Sequence, residues 1–217
     1  MKKKNHRNLF IALTLFLSFV LWTAGVTLIN VKPVGPNSSC VGFADINSLF
    51  HSLTGVHFTL YNITDWLGLV PIAVCLFFAV LGLIQWIKRK KFLKVDYSIL
   101  VLGGFYLLVM AFYILFEYVV INRRPVLING YLEASYPSST TLLVLCVMPT
   151  AFMQFKDRIK YKAFNNIVCF AIIAFIIFMV VGRLISGVHW LSDIIGGMLL
   201  SASLVTLYYY FVNLKKA

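Results

Sequence analysis

The chain has 217 residues, of which 61% are hydrophobic and only 12% are charged, and its mean hydropathy is +0.90. Soluble domains carry about 25% charged residues, so this composition excludes an ordinary soluble domain and predicts an integral membrane protein. The formal net charge of +12 would suggest a nucleic-acid partner in a soluble protein. Here the basic residues are instead distributed as in membrane proteins, in the segments between apolar stretches, so we expect no nucleic-acid partner.

Six apolar stretches approach the ~20 residues that a membrane-spanning helix needs. They lie at about 9–30, 65–87, 97–120, 138–155, 164–184 and 190–212. The first resembles a signal peptide but continues to Val31 without a small-residue cleavage site, so we expect it to be retained. The pattern predicts an all-α fold in which residues 1–217 form one membrane domain, a bundle of six transmembrane helices.

The basic residues alternate between the two ends of the predicted bundle. Fifteen of the 19 Lys and Arg residues lie before the first span, in the 88–94 and 156–162 connections, and at 215–216. Cytoplasmic loops of membrane proteins are enriched in Lys and Arg. The sequence therefore predicts a multi-pass protein of the cell membrane with both termini in the cytoplasm.

The long connection at 31–64 is the least apolar part of the chain. Asp45 is a candidate cap for a short helix lying along the outer interface, with Ile46, Leu49, Phe50 and Leu53 on one face. His51 and His57 have no cysteine or acidic cluster nearby, so we expect solvated histidines. The four cysteines show no disulfide or metal-ligand spacing, and we predict no metal site.

Residues 183–193 carry the most informative pattern, Arg-x5-His-x3-Asp, between two apolar runs. Ionisable residues near a bilayer are costly and are candidates for function. On a helix, His189 and Asp193 would share a face, so the carboxylate could hold one imidazole nitrogen and leave the other free for attack. The planar guanidinium of Arg183 suits a phosphate. The pattern therefore predicts phosphoryl chemistry at the outer end of the bundle.

Two further segments are expected at the same end. Asn122-Arg123-Arg124-Pro125 follows the third span, and Tyr136-Pro137-Ser138-Ser139-Thr140-Thr141 opens the fourth. Arginines at an interface and a proline-hydroxyl cap both have ordinary structural explanations. A helix amino terminus with hydroxyl groups is also suited to binding an anion. Because three such segments coincide on one face, we interpret them as parts of one site.

In their order and spacing, these segments resemble the motifs of the type-2 phosphatidic acid phosphatases, the lipid phosphate phosphatases related to vanadium haloperoxidases. That family carries K-x6-R-P, P-S-G-H and S-R-x5-H-x3-D. Arg183, His189 and Asp193 match the third motif, with Gly182 at its first position. Arg124-Pro125 and Pro137-Ser138 match the first two only in part. The resemblance covers about residues 60–212 and implies a haloperoxidase-like helical core.

By this resemblance, His189 is the nucleophile that forms a phosphohistidine, and Asp193 orients it. Arg124 and Arg183 bind the phosphate oxygens, and Ser138, Ser139 and Thr140 surround the phosphate. The resemblance implies an extracytoplasmic, metal-independent phosphatase without a cofactor, acting on a phosphorylated lipid that enters from the bilayer. The substrate class would be lipid phosphates or diphosphates, including polyprenyl diphosphate. The alternative is a catalytically weak relative that binds or moves such a lipid.

Two positions depart from the family pattern. Glu117 occupies the lysine position of the first motif, and Thr140 replaces the histidine that protonates the leaving group in the second. Glu117 could pair with Arg123 or Arg124, or remain protonated through burial. Glu117, Glu133 and Tyr136 are the candidate replacement acids. Without an acid, a diphosphate is the better substrate, because its leaving group tolerates departure without a proton.

Overall fold

The computed structural model describes residues 2–215, with side chains from His6 onward. Lys216, and the side chains of Lys2, Lys3 and Lys4, therefore lie outside the described residues. The helices are α1 (Lys2–Leu28), α2 (Ala44–Thr54), α3 (Phe58–Leu67), α4 (Leu69–Arg89), α5 (Tyr97–Tyr118), α6 (Ser139–Arg158), α7 (Lys162–Ile185) and α8 (Leu191–Leu214).

Within residues 2–215, six helical segments are long and apolar enough to cross a membrane, which confirms the predicted all-α membrane bundle. They are α1, the α3–α4 pair, α5, α6, α7 and α8. The second segment starts at Phe58 rather than near residue 65. Gly68 keeps helical backbone angles between α3 and α4, so α4 continues α3 after a local break.

The inner helices of the bundle are α6 and α8. In their most apolar windows, 50% of α6 and 44% of α8 is buried, against 22% or less for the other segments. These two helices also carry the most hydroxyl and amide side chains in buried positions, including Thr150, Gln154, Ser201 and Ser203. Polar side chains are tolerated here because neighbouring helices, rather than lipid, supply their hydrogen-bond partners.

The first and last helices pack along each other in opposite directions. Near one end of the bundle, the Ser203 hydroxyl donates to the carbonyl of Ala12 over 2.9 Å. Near the other end, the indole N–H of Trp22 donates to the carbonyl of Ser192 over 3.1 Å. These contacts fix α1 on α8 and bring the start of α8 to the end of the bundle that carries the polar connections.

The predicted short helix exists as α2, but Asp45 does not cap it. The residue before the helix is Phe43, and Asp45 lies in the first turn, where its carboxylate binds Lys32 over 2.6 Å. Ile46, Leu49 and Leu53 are exposed on α2, as expected for a helix that lies on an interface. Of the two histidines, His57 is exposed, but His51 is partly buried with its ring 5.5 Å from that of Trp190.

The opposite end of the bundle holds the basic connections. Asp96 accepts hydrogen bonds there from Gln85 over 2.9 Å and from Arg89 over 2.8 Å, and Arg158 lies 3.8 Å away. The guanidinium of Arg89 lowers the pKa of the Asp96 carboxyl below its ordinary value. This ion cluster joins the 88–94 connection to the end of α6, far along the bundle from the Arg-x5-His-x3-Asp segment.

Candidate active site

Two arginines converge on one nitrogen of His189. Nη1 of Arg124 lies 3.3 Å and Nη2 of Arg183 lies 3.4 Å from His189 Nε2. Arg183 is in the last turn of α7, His189 is in the short connection before α8, and Arg124 is in the α5–α6 connection. The side chains of Arg183 and His189 are each 1% exposed, and that of Arg124 is 9% exposed. The three residues therefore form a compact, largely buried cationic site.

A short hairpin in the α5–α6 connection positions Arg124. Its turn is Asn129-Gly130, and both residues have positive φ, at 50° and 83°. Asn-Gly is the preferred sequence of a two-residue type I′ hairpin turn. Ile128 pairs with Tyr131 beside the turn, and Arg123 pairs with Ala134 farther along. The hairpin thus brings Arg124 and the 133–135 segment to the same place, an arrangement that the sequence interpretation missed although Asn-Gly signals it.

A close approach of two backbones positions the His189 connection. Gly187 has φ of 68°, and a Cβ there would lie 1.9 Å from the carbonyl oxygen of Gly55. The adjacent Ser186 carbonyl accepts the backbone N–H of His57 over 2.9 Å. Only glycine fits at position 187, because a side chain would collide with backbone that cannot move away. The 186–190 connection is therefore held against the segment between α2 and α3.

Asp193 is anchored at the start of α8. It is fully buried, and its Oδ2 accepts the backbone N–H of Trp190 over 2.9 Å in a capping box. Its Oδ1 accepts from the side-chain amide of Asn122 over 3.2 Å and from the Ser192 hydroxyl over 3.4 Å. These contacts fix the carboxylate in one orientation, with Oδ2 on the side of His189.

The structure does not show the predicted direct hydrogen bond between Asp193 and His189. His189 precedes α8 instead of sharing a helix with Asp193, and Nδ1 lies 3.9 Å from Oδ2, too far for a hydrogen bond. Ser135 lies between them. Its hydroxyl is 3.0 Å from Nδ1 of His189 and 2.5 Å from Oδ2 of Asp193. Ser135 was not predicted from the sequence, because no spacing within the α8 segment points to it.

The α3 helix supplies a third side of the site, which was also not predicted from the sequence. Arg183 Nη1 lies 3.4 Å from Thr64 Oγ1 and 3.5 Å from Asp65 Oδ1. The ring of Tyr61 lies 5.0 Å from the Arg183 guanidinium and 5.9 Å from that of Arg124. The ring faces both cations, and such contacts stabilise charge without neutralising it.

Glu133 is the acidic partner of Arg124, whereas Glu117 forms no ion pair within the described part of the chain. Glu133 Oε2 lies 3.0 Å from Arg124 Nε, but this N–H is not aimed at the carboxylate, so the contact is an ion pair rather than an aligned hydrogen bond. Glu117 is exposed at the end of α5. Neither alternative considered for Glu117, an ion pair with Arg123 or Arg124 or burial, is found, because Glu117 is exposed and the hairpin brings Glu133 to Arg124 instead.

Burial and charge hold His189 in its neutral form. Removal from water is the largest cause that lowers its pKa well below the ordinary value of 6.5. The positive charges of Arg124 and Arg183 lower the pKa further, and a hydrogen bond to the backbone of Ser135 raises it in part. At neutral pH the imidazole therefore carries a lone pair on one nitrogen, as a nucleophile requires.

A narrow cleft leads from the side of the bundle to His189. Tyr113, Phe116 and Glu117 of α5 line it on one side, and Pro137, Ser139 and Leu142 on the other, with Ser135 and His189 at its inner end. Among the expected phosphate-binding hydroxyls, only Ser139 is therefore in the cleft. Ser138 is fully buried and accepts a hydrogen bond from Thr141, and the methyl group of Thr140 lies beside Gly68.

The Tyr136 hydroxyl is not free to donate a proton. Its ring lines the cleft, but its hydroxyl lies 2.7 Å from the hydroxyl of Thr23 on α1. Burial raises the pKa of Tyr136 above its ordinary value of 10.0. Of the three candidate replacement acids, only Glu117 places an unpaired acidic group at the cleft. Among the described residues, no cluster of His, Cys, Asp and Glu could hold a metal ion.

A sequence model of the PAP2 superfamily matches residues 117–217, the part of the chain that contains Arg124, Ser135, Arg183, His189 and Asp193. This carboxy-terminal part of the chain is similar to the PAP2 superfamily. Its structure is similar to the crystal structure of a transmembrane PAP2-type phosphatidylglycerolphosphate phosphatase from Bacillus subtilis, with a TM-score of 0.60 and 19% sequence identity. The match covers 93% of this chain and 96% of the other. A comparison with curated proteins finds no match. The molecule therefore has the fold of that transmembrane protein, and six of its helical segments are long and apolar enough to cross a membrane.

Proposed function

We propose that this protein hydrolyses a lipid phosphate or diphosphate through a phosphohistidine on His189. The observation that carries the proposal is the placement of Nε2, which lies within 3.4 Å of both guanidiniums. A phosphate oxygen bound by these arginines would bring the phosphorus to the nitrogen. Phosphoryl transfer depends mainly on such positioning and on stabilising negative charge, and two arginines supply both.

The proposed reaction has two steps. The Nε2 lone pair of His189 attacks phosphorus, a nitrogen–phosphorus bond forms, and the bond to the leaving oxygen of the lipid breaks. Water then attacks phosphorus, the nitrogen–phosphorus bond breaks, and inorganic phosphate leaves as the imidazole becomes neutral again. Asp193 stabilises the positive charge that the ring carries between the two steps.

The leaving group decides which lipids the site favours. Thr140 lies outside the cleft, Glu133 is paired with Arg124, and the Tyr136 hydroxyl is bound to Thr23. An alkoxide needs a proton as it departs, whereas the phosphate monoester released from a diphosphate can leave without one. We therefore propose a lipid diphosphate, such as a polyprenyl diphosphate, as the preferred substrate, with Glu117 as the candidate acid for a monophosphate.

Access to His189 is lateral in this proposal. The cleft lies between α5 and the start of α6, its lining residue Tyr113 is exposed, and both helices are long and apolar enough to cross a membrane. Its volume of about 20 Å³ holds little more than a water molecule. A lipid headgroup must therefore part α5 from the start of α6 and replace the contacts between the arginines and Nε2.

The site faces the extracytoplasmic side in this proposal, because the basic connections lie at the opposite end of the bundle. Cys40 offers a natural reporter, since it is exposed in the connection between α1 and α2, whereas the other three cysteines lie within helices. An impermeant maleimide should label intact cells, and Cys40→Ser should abolish this labelling. Labelling that appears only after the membrane is broken would contradict the proposed orientation.

The enzyme proposal is tested by phosphate release from purified protein. His189→Ala should reduce turnover by at least about 10²-fold, since even a proton-transfer group contributes that much. His6→Ala is the matched control, because His6 is exposed near the start of α1. If His189→Ala keeps more than a few per cent of the activity, then His189 is not the nucleophile.

The second candidate is a weak relative that binds or moves a phosphorylated lipid. It is favoured by Glu117, whose carboxylate lines the cleft where the family pattern has a lysine. This candidate predicts that wild type and His189→Ala release phosphate equally slowly while both retain the lipid during purification. Loss of phosphate release in His189→Ala alone would exclude it.

A further inference from the structure

The contact between Asp193 and His189 passes through Ser135. The Ser135 side chain is buried, at 3% exposure, and it comes from the α5–α6 connection rather than from the segment that holds the other two residues. Its hydroxyl lies 2.5 Å from Oδ2 of Asp193 and 3.0 Å from Nδ1 of His189, whereas these two atoms are 3.9 Å apart. Ser135 therefore makes both contacts that the pair does not make directly.

The chemistry of the three groups fixes the direction of the hydrogen bonds. An ionised carboxylate only accepts, so the single proton of the Ser135 hydroxyl is donated to Asp193. The same hydroxyl oxygen must then accept from Nδ1–H of His189. This places the proton of the neutral imidazole on Nδ1 and the lone pair on Nε2, which faces Arg124 and Arg183.

We propose that Ser135 is the positioning residue that sets the tautomer of His189 and transmits the charge of Asp193 to it. This inference rests on the proposed function for its catalytic consequence, but the tautomer itself is a property of the free protein. No proton moves in this arrangement. The hydroxyl keeps its proton towards Asp193, and Nδ1 keeps its proton towards Ser135 while Nε2 gains and loses the phosphoryl group.

The hairpin makes this placement possible. The backbone N–H of Ser135 donates to the carbonyl of Asn122 over 2.9 Å, and the side-chain amide of Asn122 in turn donates to Asp193 over 3.2 Å. The peptide before Ser135 is paired across the hairpin, through Ala134 and Arg123. The hydroxyl is thus held between Asp193 and His189 by the backbone that also carries Arg124.

The first experiment is nitrogen-15 NMR of the histidine rings in the purified full chain. The wild type should show His189 protonated at Nδ1 and unprotonated at Nε2, with the signal assigned by its loss in His189→Gln. Ser135→Ala should shift His189 to a mixture of tautomers. Ser192→Ala is the matched control, because the Ser192 hydroxyl contacts Asp193 but not His189, and it should leave the tautomer unchanged.

Two outcomes of that experiment would overturn the proposal. One is a wild-type protein in which His189 carries its proton on Nε2. The other is a Ser135→Ala variant that keeps the Nδ1 proton, since the backbone of Ser135, which also bonds to the ring, would then suffice without the hydroxyl. Both outcomes are independent of turnover, so a protein with the expected tautomer and no phosphate release would contradict the proposed function alone.

The second experiment is a double-mutant cycle on phosphate release. Ser135→Ala and Asp193→Asn should each lower kcat by on the order of 10²-fold, with KM changed much less, because both disturb the nucleophile rather than phosphate binding. If Asp193 acts on His189 through Ser135, the double variant should be no slower than the slower single variant within about threefold. Losses that multiply would show that Asp193 acts by another route and would overturn the proposal.

Discussion

Replacement of Arg183 by lysine should damage the site nearly as much as replacement by alanine. The Arg183 guanidinium makes contacts in two directions, with Nη1 at 3.4 Å from Thr64 and 3.5 Å from Asp65, and Nη2 at 3.4 Å from His189. Its Cζ atom also lies 5.0 Å from the centroid of the Tyr61 ring. A lysine ammonium is a single point and cannot keep the contact with α3 while it also reaches the phosphate position.

The expected loss follows from one missing charge-assisted hydrogen bond to the transferring phosphoryl group. Such a bond contributes about 1.5–3 kcal/mol, which corresponds to about 10- to 150-fold in kcat/KM. The assay is initial-rate phosphate release by Arg183→Lys and Arg183→Ala, with Arg123→Lys as the matched control, because Arg123 is exposed and donates to the carbonyl of Leu132. An Arg183→Lys variant whose kcat/KM is within threefold of the wild-type value would refute the argument that the planar guanidinium is needed.

Three further predictions concern the remaining groups of the site. Burial and the two arginines lower the pKa of His189, so the acid limb of the kcat/KM profile should lie below pH 6.5. Arg124→Gln removes one of these charges and should move the acid limb to higher pH with the same substrate. An unchanged acid limb would show that the charge of Arg124 does not lower the pKa of His189. Asp193→Asn should be milder than His189→Ala but still severe, and normal phosphate release by it would show that Asp193 is only a helix cap. Lipids with the same tail should give faster initial rates as diphosphates than as monophosphates. If Glu117 is the acid for the monophosphate, Glu117→Gln should slow hydrolysis of the monophosphate only. Faster hydrolysis of the monophosphate by the wild type would refute the diphosphate preference.

The parts of the site that could be predicted lie within single segments of sequence. The Arg-x5-His-x3-Asp spacing joins the end of α7 to the start of α8, and in the structure it brings Arg183 to His189 and the carboxylate of Asp193 to within 3.9 Å of the ring. Arg124 was identified because a proline follows it. The six spans were identified because lipid-facing helices must be apolar along most of their length.

The parts that could not be predicted depend on contacts between segments far apart in the chain. Ser135 is 54 positions from His189, and Thr64 is 119 positions from Arg183. No local pattern marks either residue. The contact of Asp65 with Arg183 shows the same difficulty, because the polar residues of α3 made this helix look like part of a connection. The pairing of Glu133 with Arg124 was not predicted, because the Asn-Gly turn that brings these two residues together was not recognised.

The pairing of α1 with α8 has a consequence for how the protein is made. As a chain enters a membrane from its amino terminus, the first helix must wait for the last one before Ala12 and Ser203, or Trp22 and Ser192, can meet. The same last helix carries Asp193, on which the orientation of His189 depends. If the proposed function holds, chains that have not yet inserted α8 have both arginines without Asp193 in place, and we expect hydrolysis only after α8 has packed on α1.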